Sequence, residues 1–402
     1  MKFLLLTQYF PPEVGAAQTR LATLVRELRR EGHEVEIVTA FPNYPEGRIQ
    51  AGYRGLYRRD IWEGVVVHRL WLFASQGKAL ARLLNYLSFA VTACLSVFVV
   101  RRKPDWIFVN SGPLFMSLPG AFLSWYFGRP MIFNVSDLWP RSVEHLRGWG
   151  GKFFARLASG LERWSYRRAR YVNAITDGVR EILLKEKKLP PEKVLFLPNG
   201  VDTRRFRPGS PDENLRERLG LRDRFVLIYP GNHGYAHALH RVLEAAKLLK
   251  AREPRAVFLF VGGGSEKESL MSQARELGLD NVVFHAPVPP EELARFIDLA
   301  DVGLIHVRNS PLAGETRPAK MFPLMAQAKP ILYAGFGEGA ELLRQSQGGL
   351  SVPPEQPEQL AQAVSDMMKE GRLKDWGANN RRFAEERFDT GRLIREWLRC
   401  LV

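Results

Sequence analysis

The amino-acid sequence predicts an α/β protein with two similar domains, each built on a doubly wound, mostly parallel β-sheet. Short apolar runs typical of strands alternate with longer segments in which apolar residues recur at helical spacing. This alternation runs through both halves of the 402-residue chain. Strands that alternate with helices form βαβ units and parallel sheets. The length fits two or three domains at roughly 150 residues each.

In the first half, a strand is predicted at residues 3–7 and an amphipathic helix at 18–31. The amino-terminal apolar run is shorter than a signal peptide requires, so we interpret it as a buried first strand. The other strands predicted in this half are 34–39, 64–70, 106–109, 131–135, 171–174 and 193–197.

The polar stretch 205–222, which contains both proline and glycine, is the predicted linker between the domains. We therefore place the first domain at residues 1–205 and the second at 206–384. The terminal segment 385–402 is helical by its pattern, and no strand follows it. The strands predicted in the second half are 225–229, 256–261, 282–285, 302–306 and 330–333.

The formal net charge of +15 favours an anionic partner, which could be a phosphorylated small molecule, a membrane surface or nucleic acid. The basic residues are spread over predicted helices and match no nucleic-acid-binding module, so nucleic acid is disfavoured. Cys94 and Cys400 have no metal-ligand spacing, and we interpret them as reduced thiols of a cytoplasmic protein.

Two segments bear on membrane contact. Residues 83–100 form an apolar run followed by three basic residues, and we predict a largely buried helix that dips partly into a bilayer. Residues 152–170 combine aromatic and basic residues at helical spacing, which suits either an interfacial helix or an ordinary helix packed on a sheet. Together with the net charge, they favour peripheral attachment to a membrane.

Three turns that follow predicted strands contain glycine. Gly15 lies after the first strand, Asn232 and Gly234 follow the first strand of the second domain, and Gly263 follows the next one. Small residues let backbone N–H groups approach a phosphate or a sugar, although Gly15 also suits simple packing of a helix on a sheet. None of the turns completes the GxGxxG pattern, so a nicotinamide cofactor is not indicated.

Charged residues that follow two other strands are candidates for catalysis or for ligand binding. Asp137 follows the strand 131–135 and could orient a hydroxyl group or accept a proton, or it could cap a helix. Arg317 and Lys320 lie where a helix begins, and there they oppose the helix dipole unless an anion binds. This conflict predicts a diphosphate site, with Glu315 beside it to bind sugar hydroxyls; the alternative is a solvated charged turn.

The chain resembles the family 4 retaining glycosyltransferases, which have the GT-B fold. It is similar to bacterial enzymes of O-antigen, capsule and colanic-acid-type polysaccharide assembly, including N-acetylfucosaminyl transferases. The segments that carry the resemblance are YFPPEVGAAQTRL, GHEVEIVTAFPNYPEG, NYLSFA, DLWP, PNGVD and RPAK.

The resemblance implies two Rossmann-like domains around a cleft, with a last helix that crosses back to the first domain. The second domain would bind a nucleotide-diphosphate sugar, and the first would bind the acceptor. Such enzymes usually need no metal or other cofactor, because basic groups and helix N-termini stabilise the leaving diphosphate. The anomeric configuration would be retained.

The sequence departs from this family at three places. The family often has two glutamates separated by seven residues; Glu315 matches the first, but Pro323 stands where the second would hold the ribose. The family's arginine and lysine near the start of the second domain are replaced by Asn232 and approximately His237. The resemblance therefore shifts the diphosphate role to Arg317, Lys320 and backbone N–H groups.

The leading hypothesis is transfer of an N-acetylated hexosamine or deoxyhexosamine from a UDP-sugar to a polyprenyl-diphosphate-linked acceptor. The enzyme would work at the inner face of the plasma membrane, with Asp137, Glu315 and Lys320 as catalytic residues. Two alternatives stay open: a UDP-sugar 2-epimerase of the same fold, and a membrane-associated scaffold that has lost catalysis.

Overall fold

The computed structural model describes residues 1–13, 15–44, 46–75, 79–136, 151–310, 314 and 317–401. The chain forms two compact units. The first contains Met1–Asn199 and Thr390–Val402, and the second contains Gly200–Asp389. The predicted boundary between residues 205 and 206 falls inside the second unit, and the predicted linker contains a helix of that unit.

The first unit is built on an eight-stranded sheet in the order β3-β4-β2-β1-β5-β6-β7-β8. All neighbours are parallel except β3 and β4, which form an antiparallel hairpin at one edge. The strands are β1 Lys2–Leu6, β2 Glu34–Ala40, β3 Tyr57–Trp62, β4 Val65–Leu70, β5 Trp106–Asn110, β6 Met131–Val135, β7 Tyr171–Ala174 and β8 Val194–Phe196.

Helices cover both faces of this sheet, so its central strands are apolar on both sides. In β1, Phe3 and Leu5 belong to one core, and Leu4 and Leu6 belong to the core on the opposite face. The helices before the domain crossover are α1 Ala16–Arg30, α2 Ala79–Cys94, α3 Ser117–Phe127, α4 Gly151–Arg168 and α5 Asp177–Lys185.

The second unit has a six-stranded parallel sheet in the order β11-β10-β9-β12-β13-β14. Its strands are β9 Phe225–Pro230, β10 Ala256–Val261, β11 Val282–His285, β12 Val302–His306, β13 Ile331–Ala334 and β14 Gly349–Val352. Its helices are α6 Glu213–Arg218, α7 Leu239–Arg252, α8 Lys267–Glu276, α9 Pro290–Asp298, α10 Met321–Ala326, α11 Glu338–Ser346, α12 Pro357–Lys369 and α13 Leu373–Arg387.

The last helix, α14 Thr390–Arg399, belongs to the first unit. Trp397 is buried in the core that α1 and the sheet share, and its ring contacts Phe3 and Phe108. Its indole N–H donates to Asn173 Oδ1 at 3.0 Å. The terminal helix without a following strand is therefore part of the first unit's core.

One helical segment, Leu80–Phe98, is long and apolar enough to cross a membrane by length and composition, with a mean hydropathy of 1.5. It comprises α2 from Leu80 onwards and a 3₁₀ turn, Leu95–Phe98. Only 28% of its most apolar window is buried. The prediction of a largely buried helix was therefore wrong: one side packs on the sheet, and the other presents apolar side chains outward. We call these exposed residues the outer stripe: Leu80, Leu84, Val91, Leu95 and Phe98.

Candidate functional site

The strand order locates a candidate ligand site in each unit. In the second unit, successive strands after β9 extend the sheet to one side, and the chain then returns to place β12 on the other side of β9. In the first unit, β1 and β5 have the same relationship. Ligands of doubly wound sheets bind at the carboxyl ends of such strand pairs, because the loops that follow diverge there.

Two glycine-rich turns interlock at this point of the second unit. The Gly231 N–H donates to Val261 O at 2.8 Å, and the His233 N–H donates to Gly263 O at 2.7 Å. A Cβ atom on Gly262 would lie 1.9 Å from Gly231 O, so that position excludes any side chain. The turns after β9 and β10 therefore form one compact backbone surface.

The predicted ligand-contacting residues of this unit come together in these turns. Asn232 is exposed, and its side chain lies over Gly234, where a Cβ atom would be 3.0 Å from Asn232 Nδ2. Gly263 is partly exposed. Lys267, which was not predicted from the sequence, stabilises the second turn, because its ammonium group donates to Gly262 O and His285 O at 2.7 Å each.

Lys320 is the residue before α10, and its side chain extends to the first glycine turn. Its ammonium group donates to the Tyr229 hydroxyl and lies 4.0 Å from the centre of the Tyr229 ring. Loss of hydration lowers the pKa of Lys320 to about 7. No carboxylate in the described part of the chain forms an ion pair with it. Lys320 is thus a poorly compensated cation next to the glycine turns.

His233 and His237 pack against the ring of Tyr229, His306 is hydrogen-bonded to the backbone of His237, and all three are uncharged at neutral pH. Burial lowers the pKa of His233 to about 4, that of His237 to about 3 and that of His306 to about 4, and the charge of Lys320 acts in the same direction. His306 Nδ1 donates to His237 O at 2.7 Å, and His306 Nε2 accepts from the Glu355 N–H at 3.2 Å. His306 therefore fixes the loop after β9 as a neutral side chain.

Arg317 has a partner inside the unit. Its side chain is only 6% exposed, and Nε donates to Glu338 Oε2 at 2.6 Å. Glu338 lies in the first turn of α11. The ion pair connects the segment before α10 to α11. Because it also compensates the charge of Arg317, Lys320 is the better placed of the two predicted diphosphate ligands. Pro323 lies in the middle of α10, a helix of six residues.

A chain of polar side chains crosses the centre of the first unit's sheet towards the carboxyl ends of β5 and β6. Asn173 donates to Asn134 at 2.8 Å, and Asn134 donates to Asn110 at 2.9 Å. Arg20 completes it with hydrogen bonds of 2.9 Å to Asn110 and 2.8 Å to Ser136. We call this series, which begins at Trp397, the polar ladder.

The polar ladder ends at residues that are close in sequence to the predicted site residues of the first unit. Gly15 precedes α1, the helix that carries Arg20, and Asp137 comes directly after Ser136 in the sequence. Asp137 and Glu315 both lie outside the described residues, so their catalytic roles stay predictions. Glu13, which the sequence analysis missed, is buried and accepts from the N–H groups of Asn43 and Tyr44 at 2.8 Å each.

Within the described residues, no group of three or more histidine, cysteine or carboxylate side chains could hold a metal ion. Cys94 and Cys400 are free thiols. The candidate sites combine glycine-rich backbone, amide side chains, the basic groups of Lys320, Lys267 and Arg20, and neutral imidazoles. This set of groups suits an anionic, hydroxyl-rich ligand.

Comparison with known proteins agrees with this chemistry. Residues 15–200 match the family model described as a glycosyl transferase 4-like domain, and residues 211–383 match the model for glycosyl transferases group 1. The chain belongs to the family 4 glycosyltransferases and has the GT-B fold. The predicted fold class and the predicted enzyme class are therefore confirmed.

The glycosyltransferase is similar over its full length to other sugar transferases. It is 27% identical over 411 residues to the putative colanic acid biosynthesis glycosyl transferase WcaI of Escherichia coli K12, covering 99% of each chain. It is 26% identical to a GDP-mannose-dependent phosphatidylinositol monomannoside mannosyltransferase of Mycolicibacterium smegmatis, covering 92% of this chain and 90% of the relative.

Among solved structures, the glycosyltransferase is similar to Anabaena HepE in complex with UDP and glucose. The TM-score is 0.72, the identity is 19%, and the match covers 100% of this chain and 99% of HepE. At this identity the similarity establishes the fold alone.

Because the relatives named above are glycosyltransferases, the epimerase and the scaffold that the sequence left open are not favoured.

Proposed function

We propose that this glycosyltransferase transfers a sugar from a UDP-sugar to a polyprenyl-diphosphate-linked acceptor during assembly of a bacterial surface polysaccharide, with retention of configuration. The polysaccharide class is supported by the similarity to WcaI over the whole chain. The choice of uridine is supported by HepE, whose structure contains UDP. We infer that the sugar is an N-acetylated hexosamine or deoxyhexosamine, as in the N-acetylfucosaminyl transferases that the sequence resembles.

The observation that carries the donor assignment is the position of Lys320 against the two interlocked glycine turns. A diphosphate at this point would lie between the backbone of the glycine turns and the lysine ammonium group. An anion beside Lys320 favours its charged form, so donor binding would raise the pKa of Lys320 from about 7 and take up a proton. That charge would then stabilise the leaving diphosphate.

The proposed acceptor site lies at the carboxyl ends of β1, β5 and β6, where the polar ladder ends. Arg20 is held there by Asn110 and Ser136. In this proposal Asp137 orients the acceptor or the reacting face of the donor, and Glu315 holds the donor sugar. Both assignments rest on the resemblance and on their positions next to Ser136 and Arg317 in the sequence.

We also propose that the enzyme works at the cytoplasmic face of the plasma membrane, held there by the first unit. The outer stripe presents apolar side chains, and Trp125 and Tyr126 are exposed on α3. A cavity of about 360 Å³ between α3 and α4 has apolar walls and Arg168 at its border. Apolar side chains with basic residues nearby suit the interface of an anionic bilayer.

A product assay tests the proposed function. The purified protein would be incubated with radiolabelled nucleotide sugars, each with and without a lipid extract of bacterial membranes. The expected result is lipid-dependent release of UDP from one donor and label in an extractable lipid. UDP release without lipid labelling, or an epimerised donor, would contradict the acceptor assignment.

A further inference from the structure

A second cavity lies at the amino-terminal edge of the first unit's sheet, the edge opposite to the carboxyl ends described above. Its volume is about 670 Å³. It is lined by residues from the starts of β1 and β2, from β3 and β4, from the end of the 3₁₀ turn Leu95–Phe98, and from the segment after that turn. None of these residues belongs to the proposed donor or acceptor sites.

The floor of this cavity is a connected series of polar side chains. His68 is buried, and its Nε2 donates to Glu36 at 2.6 Å, which leaves Nδ1 to accept from the Tyr57 hydroxyl at 2.9 Å. Lys2 forms a 2.6 Å ion pair with the other carboxylate oxygen of Glu36. Burial alone would raise the pKa of Glu36, but the hydrogen bonds from His68 and Lys2 outweigh it and lower the pKa. The Glu36 charge is therefore fixed and compensated within the floor.

The rim of the cavity carries excess positive charge. Arg102 lies 3.6 Å from Glu34, whereas no carboxylate in the described ranges pairs with Arg59 or Arg101. Both arginines lie close enough to Tyr57 to oppose the rise of its pKa that burial causes. Two guanidinium groups without a carboxylate partner in the described ranges thus border the cavity.

The mouth of the cavity adjoins an apolar surface. Phe98 lines the cavity, is 81% exposed, and is the last residue of the outer stripe. Leu95, one turn earlier, is also exposed. A ligand that used all of these groups would have an anionic head for the arginines and an apolar body for the stripe.

We propose that this cavity binds the phosphate group of an anionic amphiphile, with Arg59 and Arg101 as phosphate ligands and Phe98 against the apolar body. Guanidinium groups present forked donors that match phosphate oxygens, and the pair at the rim supplies two such forks. The inference deepens the proposed membrane attachment, which would supply the amphiphile, and it does not depend on the proposed donor site.

Vesicle binding by the full-length protein tests this inference. The vesicles would contain phosphatidylcholine alone, phosphatidylcholine with phosphatidic acid, or phosphatidylcholine with phosphatidylglycerol at matched surface charge. We expect the tightest binding to the vesicles with phosphatidic acid, whose phosphomonoester head enters the cavity. Equal binding to the two anionic vesicles would overturn the inference.

Paired variants separate the cavity from general surface charge. The double variant Arg59→Ala and Arg101→Ala should weaken binding to vesicles with phosphatidic acid about tenfold. The control, Arg48→Ala with Arg54→Ala, removes two exposed arginines of the same unit and should change binding less than about twofold. Circular dichroism would show that both variants are folded. Equal losses in the two pairs would also overturn the inference.

Soluble glycerol phosphate distinguishes the source of the phosphate. If it competes with vesicles for the wild type but does not bind the double variant, the cavity binds the phosphate group itself. If no vesicle binds but glycerol phosphate still binds through Arg59 and Arg101, the membrane proposal fails and the phosphate site stands. If neither binds, the phosphate site is contradicted.

Discussion

The ammonium group of Lys320 lies over the ring of Tyr229 and donates to its hydroxyl, although the two residues are 91 positions apart in the chain. The Tyr229 hydroxyl in turn donates to Asn232 O at 3.1 Å. One buried tyrosine therefore contacts both the proposed diphosphate ligand and the first glycine turn. Tyr229 holds Lys320 where the turns present their backbone.

Replacing Tyr229 with phenylalanine should lower the pKa of Lys320 further, because the charged amine loses a hydrogen-bond acceptor. A hydrogen bond to a charged group contributes about 1.5–3 kcal/mol, and one pKa unit corresponds to about 1.4 kcal/mol. The pH at which UDP-sugar affinity falls to half should therefore drop by about one unit. Titration calorimetry over a pH series measures that midpoint.

Tyr333→Phe is the matched control, because Tyr333 is also buried in the second unit's sheet and its hydroxyl donates to Phe336 O at 3.3 Å, away from the glycine turns. Its pH midpoint should equal that of the wild type. An unchanged midpoint in Tyr229→Phe would mean that Tyr229 is only a core residue.

Gly264→Ala should impair donor binding as well as stability. Gly264 has φ +151°, and a Cβ atom there would lie 2.3 Å from Asn232 Oδ1 and 2.6 Å from His233 O. The strained backbone costs about 1–3 kcal/mol, and the crowding displaces the first glycine turn. Chemical denaturation and UDP-sugar binding, measured on the same preparation, separate the two effects.

Gly278→Ala isolates backbone strain from crowding. Gly278 has φ +61°, and a Cβ atom added there would meet nothing within 4 Å. The variant should lose about 1–2 kcal/mol of stability and keep the wild-type donor affinity. If both glycine variants bind the donor like the wild type, the interlocked turns are not part of the donor site.

Trp397→Phe should destabilise the first unit by about 2–3 kcal/mol, because it leaves the buried Asn173 Oδ1 without its donor and creates a small cavity. Trp125→Phe changes an exposed tryptophan of the same unit and should stay within about 0.5 kcal/mol of the wild type. Urea denaturation measures both. Similar losses would show that the polar ladder contributes little to stability.

Val91→Ser should weaken vesicle binding about five- to tenfold if the outer stripe enters the bilayer. Leu56→Ser is the control, since Leu56 is 69% exposed, Val91 is 68% exposed, and Leu56 lies outside the stripe. Sedimentation with vesicles of bacterial lipid measures both variants. Equal effects of the two substitutions would contradict a role for the stripe.

Hydrophobic pattern predicted most of the buried parallel strands, but it missed two edge strands, β3 and β14. The sequence of β3, Tyr57–Trp62, is mostly polar or charged because one edge of the sheet faces solvent. The hairpin turn that joins β3 to β4 has Glu63 and Gly64 at φ 47° and 77°. Two positive φ values are typical of a type I′ turn, but Glu-Gly is a weaker signal for it than Asn-Gly.

Sequence reasoning proposed candidate site residues where one local segment carried the signal. Asn232, Gly234 and Gly263 were proposed from the turns that follow strands, and Lys320 was proposed because its charge opposes a helix dipole. The role of Tyr229 could not be read from spacing, because it depends on a contact between distant segments. The burial of Arg317 against Glu338 depends on a similar contact. For the outer stripe, the pattern showed an apolar helix but not which of its sides the sheet covers.

The pH dependence of UDP-N-acetylglucosamine binding to the wild type, Lys320→Arg and Lys320→Gln tests whether Lys320 binds the donor diphosphate. The diphosphate of this donor does not titrate between pH 6 and 8, whereas Lys320 has a pKa of about 7. Lys320 is charged below that pH, so wild-type affinity should fall about tenfold from pH 6 to pH 8. Lys320→Arg should bind with little pH dependence, and Lys320→Gln should bind weakly throughout. Equal affinities for the wild type and Lys320→Gln at pH 6 would contradict the assignment of the diphosphate to Lys320.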